Sequence, residues 1–204
     1  MKKLLFAFLV LTSWPTFAQQ DTVRQGILRF QETLNKEYRD AKGSPLKGKA
    51  LKKFKNHEFF PIDLQYRVEA VLTRTNESTF FPMKTTSQVL KEHRIYGMLK
   101  FKLKGKDFEV PVYQSKMLMA REQYKTYLFF PFTDRTNGES SYAAGRYIDL
   151  RIPEGNTIII DFNKAYNPYC AYSDGYSCPI VPADNHLEVE VLAGVRYSDK
   201  KAKH

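Results

Sequence analysis

The residues best suited to chemistry or ligand binding are concentrated in the C-terminal third of the chain, between about residues 134 and 186. Carboxylates, amides, an arginine, a tyrosine and a histidine stand there within sequence that otherwise favours strands. These polar residues are Asp134, Glu139, Tyr142, Arg146, Asp149, Asp161, Asn163, Asn167, Asp184, Asn185 and His186. If they converge in space, they can bind an anion or a metal, or supply a general acid or base.

The carboxylate of Asp161 illustrates the two interpretations of this segment. Asp161 directly follows Ile158-Ile159-Ile160, a run that predicts a strand. Because an unpaired buried charge is costly, Asp161 must be paired or must lie near water. Arg146 follows a glycine, precedes a predicted strand and is a plausible partner. The polar segment is therefore either a set of structural ion pairs and capped turns, or an anion or metal site at the end of a barrel.

Three functions fit the sequence. The first is binding of a small-molecule or polymeric envelope ligand without catalysis. Its candidate ligand-binding residues are Asp134, Glu139, Tyr142, Arg146, Asp161, Asn163, Asn167, Asn185 and His186. The second is hydrolysis with Asp134 or Asp161 as general base, with or without His186. The third is a structural role, in which a predicted helix over residues 21–40 or the lysine-rich segment docks on another chain.

Familiar catalytic motifs are missing from the sequence. His57-Glu58 begins like the HExxH motif of zinc proteases, but the second histidine is absent and Pro61 would break the helix that presents both ligands. There is no G-x-S-x-G nucleophile elbow and no phosphate-cradling glycine loop. The sequence therefore predicts no cofactor and no catalytic nucleophile.

The only two cysteines are Cys170 and Cys178. In an exported protein the default state of such a pair is a disulfide. Closing so short a loop would stabilise the fold by about 2.5 kcal/mol in the chain-entropy description. The alternative is zinc bound by Cys170, Cys178, His186 and one carboxylate, although seven intervening residues is an unusual zinc spacing.

The first 18 residues have the organisation of a secretory signal peptide. Lys2-Lys3 precedes an apolar run over residues 4–11, and Thr16-Phe17-Ala18 provides the small residues of a cleavage site. The run is shorter than the roughly 20 apolar residues that span a bilayer. We therefore expect cleavage after Ala18, periplasmic or secreted localisation, and no transmembrane segment in the mature chain.

The chain carries a formal net charge of +10, with the excess concentrated in residues 42–55, 91–106 and 200–203. Such runs can attract anionic partners, but more often they form a solvated surface. An exported chain without a recognisable binding motif is not expected to bind nucleic acid. We therefore interpret the excess charge as surface.

Hydrophobic periodicity predicts one helix followed by strands. Apolar residues repeat at helical spacing over residues 21–40 and form one face, which we expect to pack on the core. These residues are Val23, Ile27, Phe30, Leu34 and Tyr38. A period of two begins near residue 66. Residues 96–104 and 108–113 predict a hairpin with its turn at 105–107, and residues 187–195 predict the last strand.

These elements favour a mainly β protein. Strands follow one another without crossover helices, which is typical of an antiparallel β-barrel or sandwich, here with about seven or eight strands and one N-terminal helix. The predicted organisation is a signal peptide (1–18), the N-terminal helix (19–44), a β-rich domain (45–196) and a basic tail (197–204).

A series of short motifs also resembles a known family. In order along the chain these are Phe132-Thr133-Asp134-Arg135-Thr136, Gly145-Arg146-Tyr147, residues 161–168, Cys178-Pro179, Asn185-His186-Leu187 and Ala193-Gly194. Over residues 45–196 they resemble the bacterial and archaeal family called domain of unknown function 1684. Longer members of that family often have arginine where this chain has His186. The resemblance implies a β-rich fold and assigns no activity.

Overall fold

The computed structural model describes residues 17–76 and 78–197. Most of the predicted signal peptide (1–16) and of the basic tail (198–204) lies outside the described residues. The helices are α1 (Phe17–Arg39), α2 (Gly48–Lys53) and α3 (Lys116–Met119). The strands are β1 (Glu58–Phe59), β2 (Arg67–Arg74), β3 (Phe81–Met83), β4 (Lys91–Leu103), β5 (Lys106–Ser115), β6 (Tyr127–Asp134), β7 (Arg146–Arg151), β8 (Thr157–Asp161), β9 (His186–Leu187) and β10 (Val195–Arg196).

The main sheet has the strand order β7-β6-β5-β4-β2-β8, with every neighbouring pair antiparallel, and it curls into an open half-barrel. Strand β3 pairs with β4, and the short β9 adds to β6 in parallel. Strands β1 and β10 form a separate two-stranded sheet. The predicted mainly β, antiparallel fold with an N-terminal helix is confirmed.

The hairpin of β4 and β5 closes through a tighter turn than the sequence predicted. Leu103 pairs with Lys106, so the turn consists of Lys104 and Gly105, both with positive φ (50° and 79°). Such a two-residue turn matches the right-handed twist of the flanking strands. Cross-strand pairs, including Lys100 Nζ to Glu109 Oε2 at 3.3 Å, occupy part of the lysine-rich run. These pairs are exposed and contribute little stability.

The inner face of the half-barrel forms the main hydrophobic core. On β6 and β7 every second side chain points inward, and all of these are at most 6% exposed: Leu128, Phe130, Phe132, Ile148 and Leu150. Residues 187–193 run over this face and bury Val191 and Ala193 completely. Buried and exposed residues alternate over 187–193, which explains why the sequence predicts a strand over 187–195. In the structure only residues 186–187 and 195–196 are strand. Between them, backbone groups bond to side chains and irregular backbone instead of a neighbouring strand.

The outer face of β6 and β7 is also largely apolar, and α1 and the chain around the two cysteines lie over it. The predicted apolar face of α1 packs against the domain, since Ile27, Leu34 and Tyr38 are at most 8% exposed. This agrees with a core-packing helix. Within the described residues, no helix has both the length and the apolar character needed to cross a membrane.

A buried histidine fastens α1 to the β domain. The amide oxygen of Asn35 on α1 accepts hydrogen bonds from the backbone N–H of His57 (2.8 Å) and from its ring Nδ1 (2.9 Å). The ring packs edge-on against Tyr38, Phe54 and Tyr172. Burial lowers the pKa of His57 from 6.5 to about 4, so the imidazole is neutral at pH 7.

We expect the protein to lose stability on acidification between pH 6.5 and about pH 4. In this window the unfolded chain binds a proton at His57 and the folded chain does not, so the free energy of unfolding should fall by about 3 kcal/mol. Urea unfolding at a series of pH values measures this effect. His57→Gln should flatten the profile, whereas His186→Gln, at an exposed position, should not. An unchanged slope in His57→Gln would contradict the assignment.

Candidate ligand-binding site

The centre of the predicted polar segment is a fully buried ion pair. The side chains of Arg146 and Asp134 are 0% exposed, with Nη2 of the arginine 2.7 Å from Oδ2 of the carboxylate. Arg146 pairs with Phe132 across β6 and β7, and this register brings Asp134, two residues further along the same face, within reach. The suggested partnership of Arg146 with Asp161 was therefore wrong.

The remaining bonds of this pair go to the backbone that closes the core. Arg146 donates from Nη2 to the Val191 carbonyl (2.8 Å) and from Nη1 to the Ala193 carbonyl (2.5 Å). Asp134 Oδ1 accepts from Thr136 Oγ1 (2.6 Å) and from the Val191 N–H (3.1 Å). Burial lowers the pKa of the guanidinium, and the charge of Asp134 opposes that shift. The pair's polar atoms are thus directed at the protein itself.

The second predicted carboxylate, Asp161, ends β8 and organises the turn that follows. Its Oδ1 accepts from the backbone N–H (3.2 Å) and the side-chain amide (2.9 Å) of Asn163, and Arg67 Nε lies 3.9 Å from its Oδ2. Asn163 in turn bonds both backbone groups of Asp63 at 3.0 Å. These contacts cap a turn and join it to the chain before β2.

The other predicted site residues are dispersed over the structure. Asn185 is fully buried and bonds Tyr113 Oη and the Pro111 carbonyl, and Asn167 donates to Tyr172 Oη. His186 is exposed between Thr133 and Glu188. Glu139 is exposed, and the ring of Tyr142 packs on Tyr197. The structure has a cavity between the sheet and α1, and none of the nine candidates lines it.

The two cysteines shape one wall of that cavity. Cys170 and Cys178 lie at disulfide distance, with 2.25 Å between sulfurs and 6.4 Å between Cα atoms. Within the described residues, no group of three or more His, Cys, Asp or Glu side chains is placed to hold a metal. Backbone bonds from Thr86 to Cys178 and from Ile180 to Lys84 attach this cysteine loop, residues 168–181, to the chain before β4.

The cavity has a volume of about 650 Å³ and lies between the outer face of the sheet, α1 and the cysteine loop. Its lining is mainly aromatic and apolar, with one or more side chains from each of these three elements. They include Phe30, Leu34, Phe129, Tyr147, Tyr169 and Tyr176. Tyr147 also donates through its hydroxyl to the Pro179 carbonyl, which holds the cysteine loop against β7.

Two carboxylates, both on solvent-exposed residues, are among the residues that line the cavity. Asp149 projects from β7 on the face opposite the core, and its Oδ1 accepts from Tyr127 Oη (2.8 Å) and Tyr166 Oη (2.6 Å). Glu37 lies on α1 one turn beyond Leu34, and both side chains line the cavity. Burial, and then the negative charge of Asp149, raise the pKa of Glu37.

The phenols around Asp149 act as fixed donors. Backbone bonds between Tyr147 and Tyr166 (2.8 and 3.0 Å) place Tyr166 beside the edge strand β7. Burial, assisted by the Asp149 charge, raises the pKa of Tyr127 and Tyr166, so both hydroxyls remain protonated. Both donate to the same oxygen, and within the described residues Asp149 Oδ2 accepts no hydrogen bond.

The cavity also has a basic part, formed by Lys91 and His93 of β4. Lys91 Nζ donates to the Ser177 carbonyl in the cysteine loop (2.5 Å), and burial lowers its pKa. Burial lowers the pKa of His93, as does the nearby charge of Lys91, although a hydrogen bond from His93 Nδ1 to the Lys91 carbonyl opposes the shift.

Sequence reasoning missed most of the polar residues that line this cavity. Asp149 was noted within the polar segment, but Glu37, Lys91, Tyr127 and Tyr166 come from separate regions of the chain. One available signal was the alternation on β6 and β7, where Tyr127, Tyr147 and Asp149 occupy the positions between core residues. That pattern marks a second covered face of the sheet.

Breaking the buried ion pair should strongly destabilise the fold. We expect Arg146→Met to lower the free energy of unfolding by about 3–5 kcal/mol, because Asp134 would stay buried without its cation. The matched control is Arg135→Met, which breaks an exposed pair with Glu188 and should change stability much less. Urea denaturation compares the two, and equal losses would contradict the structural role.

Comparison with known proteins gives a family and a related fold. No curated protein matches the chain. The solution NMR structure of an uncharacterized protein from Haloarcula marismortui is similar, with 29% identity and a TM-score of 0.71 over 93% of this chain and 100% of that one. The sequence profile of the family described as "Protein of unknown function (DUF1684)" matches residues 52–196, which contain the half-barrel and the cysteine loop. The chain therefore belongs to the DUF1684 family.

Proposed function

We propose that this protein is an exported β domain that binds a small organic ligand in the cavity between the sheet, α1 and the cysteine loop. The ligand has an apolar or aromatic body and a cationic or hydrogen-bond-donating group that contacts Asp149 and Glu37. The observation that carries the proposal is the pair of exposed carboxylates at a cavity of about 650 Å³ whose other lining residues are mainly apolar or aromatic.

The size and lining of the cavity support a ligand rather than a packing defect. Binding pockets for small molecules usually measure about 300–1,000 Å³ and combine apolar walls with a few polar groups that orient the ligand. Here Asp149 is held in place by two phenols, while its second oxygen is available. A preorganised acceptor of this kind lowers the entropy lost on binding.

The electrostatics of the acidic part favour a positively charged group. Burial and the charge of Asp149 already raise the pKa of Glu37, so two ionised carboxylates in this place repel one another. An ammonium group between them would relieve that repulsion. The electron-rich faces of neighbouring tyrosines can add cation–π attraction for the same group.

We expect aliphatic and aromatic amines to bind this cavity more tightly than alcohols of the same shape. Asp149→Asn should weaken amine binding by about tenfold or more, the effect of losing one charge-assisted contact. Affinity should rise with pH through the raised pKa of Glu37, because its carboxylate forms while the amine remains protonated. Titrations of an amine panel followed by NMR would measure both effects.

The control for the amine titrations is Glu69→Gln, which removes an exposed carboxylate on β2 outside the cavity and should leave amine affinity unchanged. Equal binding of amines and alcohols, or unchanged affinity in Asp149→Asn, would reject the cationic ligand.

Export of the protein has its own test. The native mass of protein recovered from outside the cytoplasm should correspond to a chain beginning at Gln19, together with any retained ligand.

A second candidate function is hydrolysis, and the same two carboxylates favour it. A carboxyl group with a raised pKa can act as a general acid beside an ionised partner. In this case Glu37 would be the acid and Asp149 the base or nucleophile. Turnover on a panel of esters, phosphoesters and glycosides should then be lost in Glu37→Gln and kept in Glu69→Gln. Activity that survives both Glu37→Gln and Asp149→Asn would exclude this mechanism.

A further inference from the structure

The aromatic cavity, which lies between the sheet, α1 and the cysteine loop, has its basic part across the sheet from its acidic part. Strand register shows this, because one row of paired residues crosses β4, β5, β6 and β7: Ile95, Tyr113, Phe129 and Asp149. Lys91 precedes Ile95 by four residues on β4 and therefore lies on the same face of the sheet. Three strand spacings of about 4.8 Å and four residues of about 3.4 Å place the backbones of Asp149 and Lys91 about 20 Å apart in a flat sheet. Both residues line the cavity, so it extends over the width of four strands.

The basic part has a cation that is oriented by a neutral group. Lys91 Nζ donates to the carbonyl of Ser177 in the cysteine loop at 2.5 Å. This contact uses one of the three N–H donors of the ammonium group. The carbonyl positions the side chain without cancelling its charge, and burial lowers the pKa of the ammonium. An anion beside Lys91 would therefore offset the cost of removing this charge from water.

A hydroxyl group and an imidazole line the cavity on the same strands as this cation. Ser115 and His93 are a cross-strand pair of β5 and β4 and are 7% and 4% exposed. Ser115 Oγ accepts the N–H of Leu118 at 3.5 Å, which leaves its own hydrogen for another acceptor. His93 donates from Nδ1 to the Lys91 carbonyl at 2.9 Å, and an anion nearby would favour protonation of its Nε2 as well. Each of these groups can thus present a donor to an anion.

We propose that the aromatic cavity takes an organic zwitterion, with an ammonium group at the acidic part, an anionic group such as a carboxylate at the basic part, and an apolar body between them. This ligand class rests on the proposed function, since the ammonium group is the one already assigned to Asp149 and Glu37. The apolar body contacts the aromatic rings in the middle of the cavity, among them Phe129. Opposite charges at the two ends set the direction of binding, because the reversed ligand would place like charges together.

The test is titration of the disulfide-bonded protein, followed by NMR, with straight-chain ω-amino acids from aminohexanoate to aminododecanoate and with the plain amine of each length. A carboxylate that leaves water without a partner costs free energy, so it would weaken binding at a cavity end that offers no cation. We expect the opposite result: at the best length the amino acid binds about tenfold more tightly than the amine. Diamines of that length should bind less tightly than the amino acid, because their second ammonium group would meet Lys91.

Charge removal at Lys91 identifies the group that recognises the carboxylate. Lys91→Gln should abolish the advantage of the amino acid and leave the affinity of the plain amine unchanged, because glutamine can still donate to the Ser177 carbonyl but carries no charge. Unchanged amine affinity also shows that the variant is folded. Lys84→Gln, at an exposed position outside the cavity, is the matched control and should keep the advantage.

The outcomes separate the zwitterion from the proposed function on which it rests. If no amine binds, or if Asp149→Asn leaves amine affinity unchanged, the proposed function fails and the zwitterion fails with it. If amines bind at Asp149 but the amino acids bind no more tightly, or if their advantage persists in Lys91→Gln, only the zwitterion is overturned.

Discussion

The buried ion pair of Arg146 and Asp134 is the interaction on which the rest of the structure depends. A half-barrel leaves its inner face open, and here residues 187–193 cover it without forming a strand. Arg146 supplies hydrogen bonds to two of their carbonyls, and Asp134 accepts one of their N–H groups. Burying the two charges is costly in isolation, but it satisfies backbone groups that would otherwise be buried without partners.

The sheet is apolar on its inner face and, over β6 and β7, on its outer face as well, so each of these surfaces needs a cover. The inner cover is close-packed, with Phe162, Leu187 and Val191 all 0% exposed. The outer cover consists of the helix α1 and the disulfide-bridged cysteine loop. Their surfaces do not fill the space above β6 and β7, and the aromatic cavity is what remains. The residues that the family profile matches thus form a sheet whose inner face is closely packed and whose outer face borders a cavity.

At the aromatic cavity, neutral residues position the carboxylate of Asp149. The hydroxyls of Tyr127 and Tyr166 both donate to its Oδ1, at 2.8 and 2.6 Å. Phenols hold the carboxylate in place without cancelling its charge, which a cationic partner would do. The proposed selectivity of the cavity for cationic groups depends on this difference.

The sequence by itself determined the local features of this protein: the apolar face of α1, the inward alternation of β6 and β7, the β4–β5 hairpin, the cysteine pairing and the family. These features follow from periodicity and from residue types close together in the chain. Tertiary structure alone decided that Arg146 pairs with Asp134 rather than Asp161, because strand register sets which side chains meet. It also determined the candidate site, because Glu37, Lys91 and Asp149 line the same cavity only once α1, β4 and β7 are packed around it. Periodicity shows which face of an element is buried, but not which other element covers it.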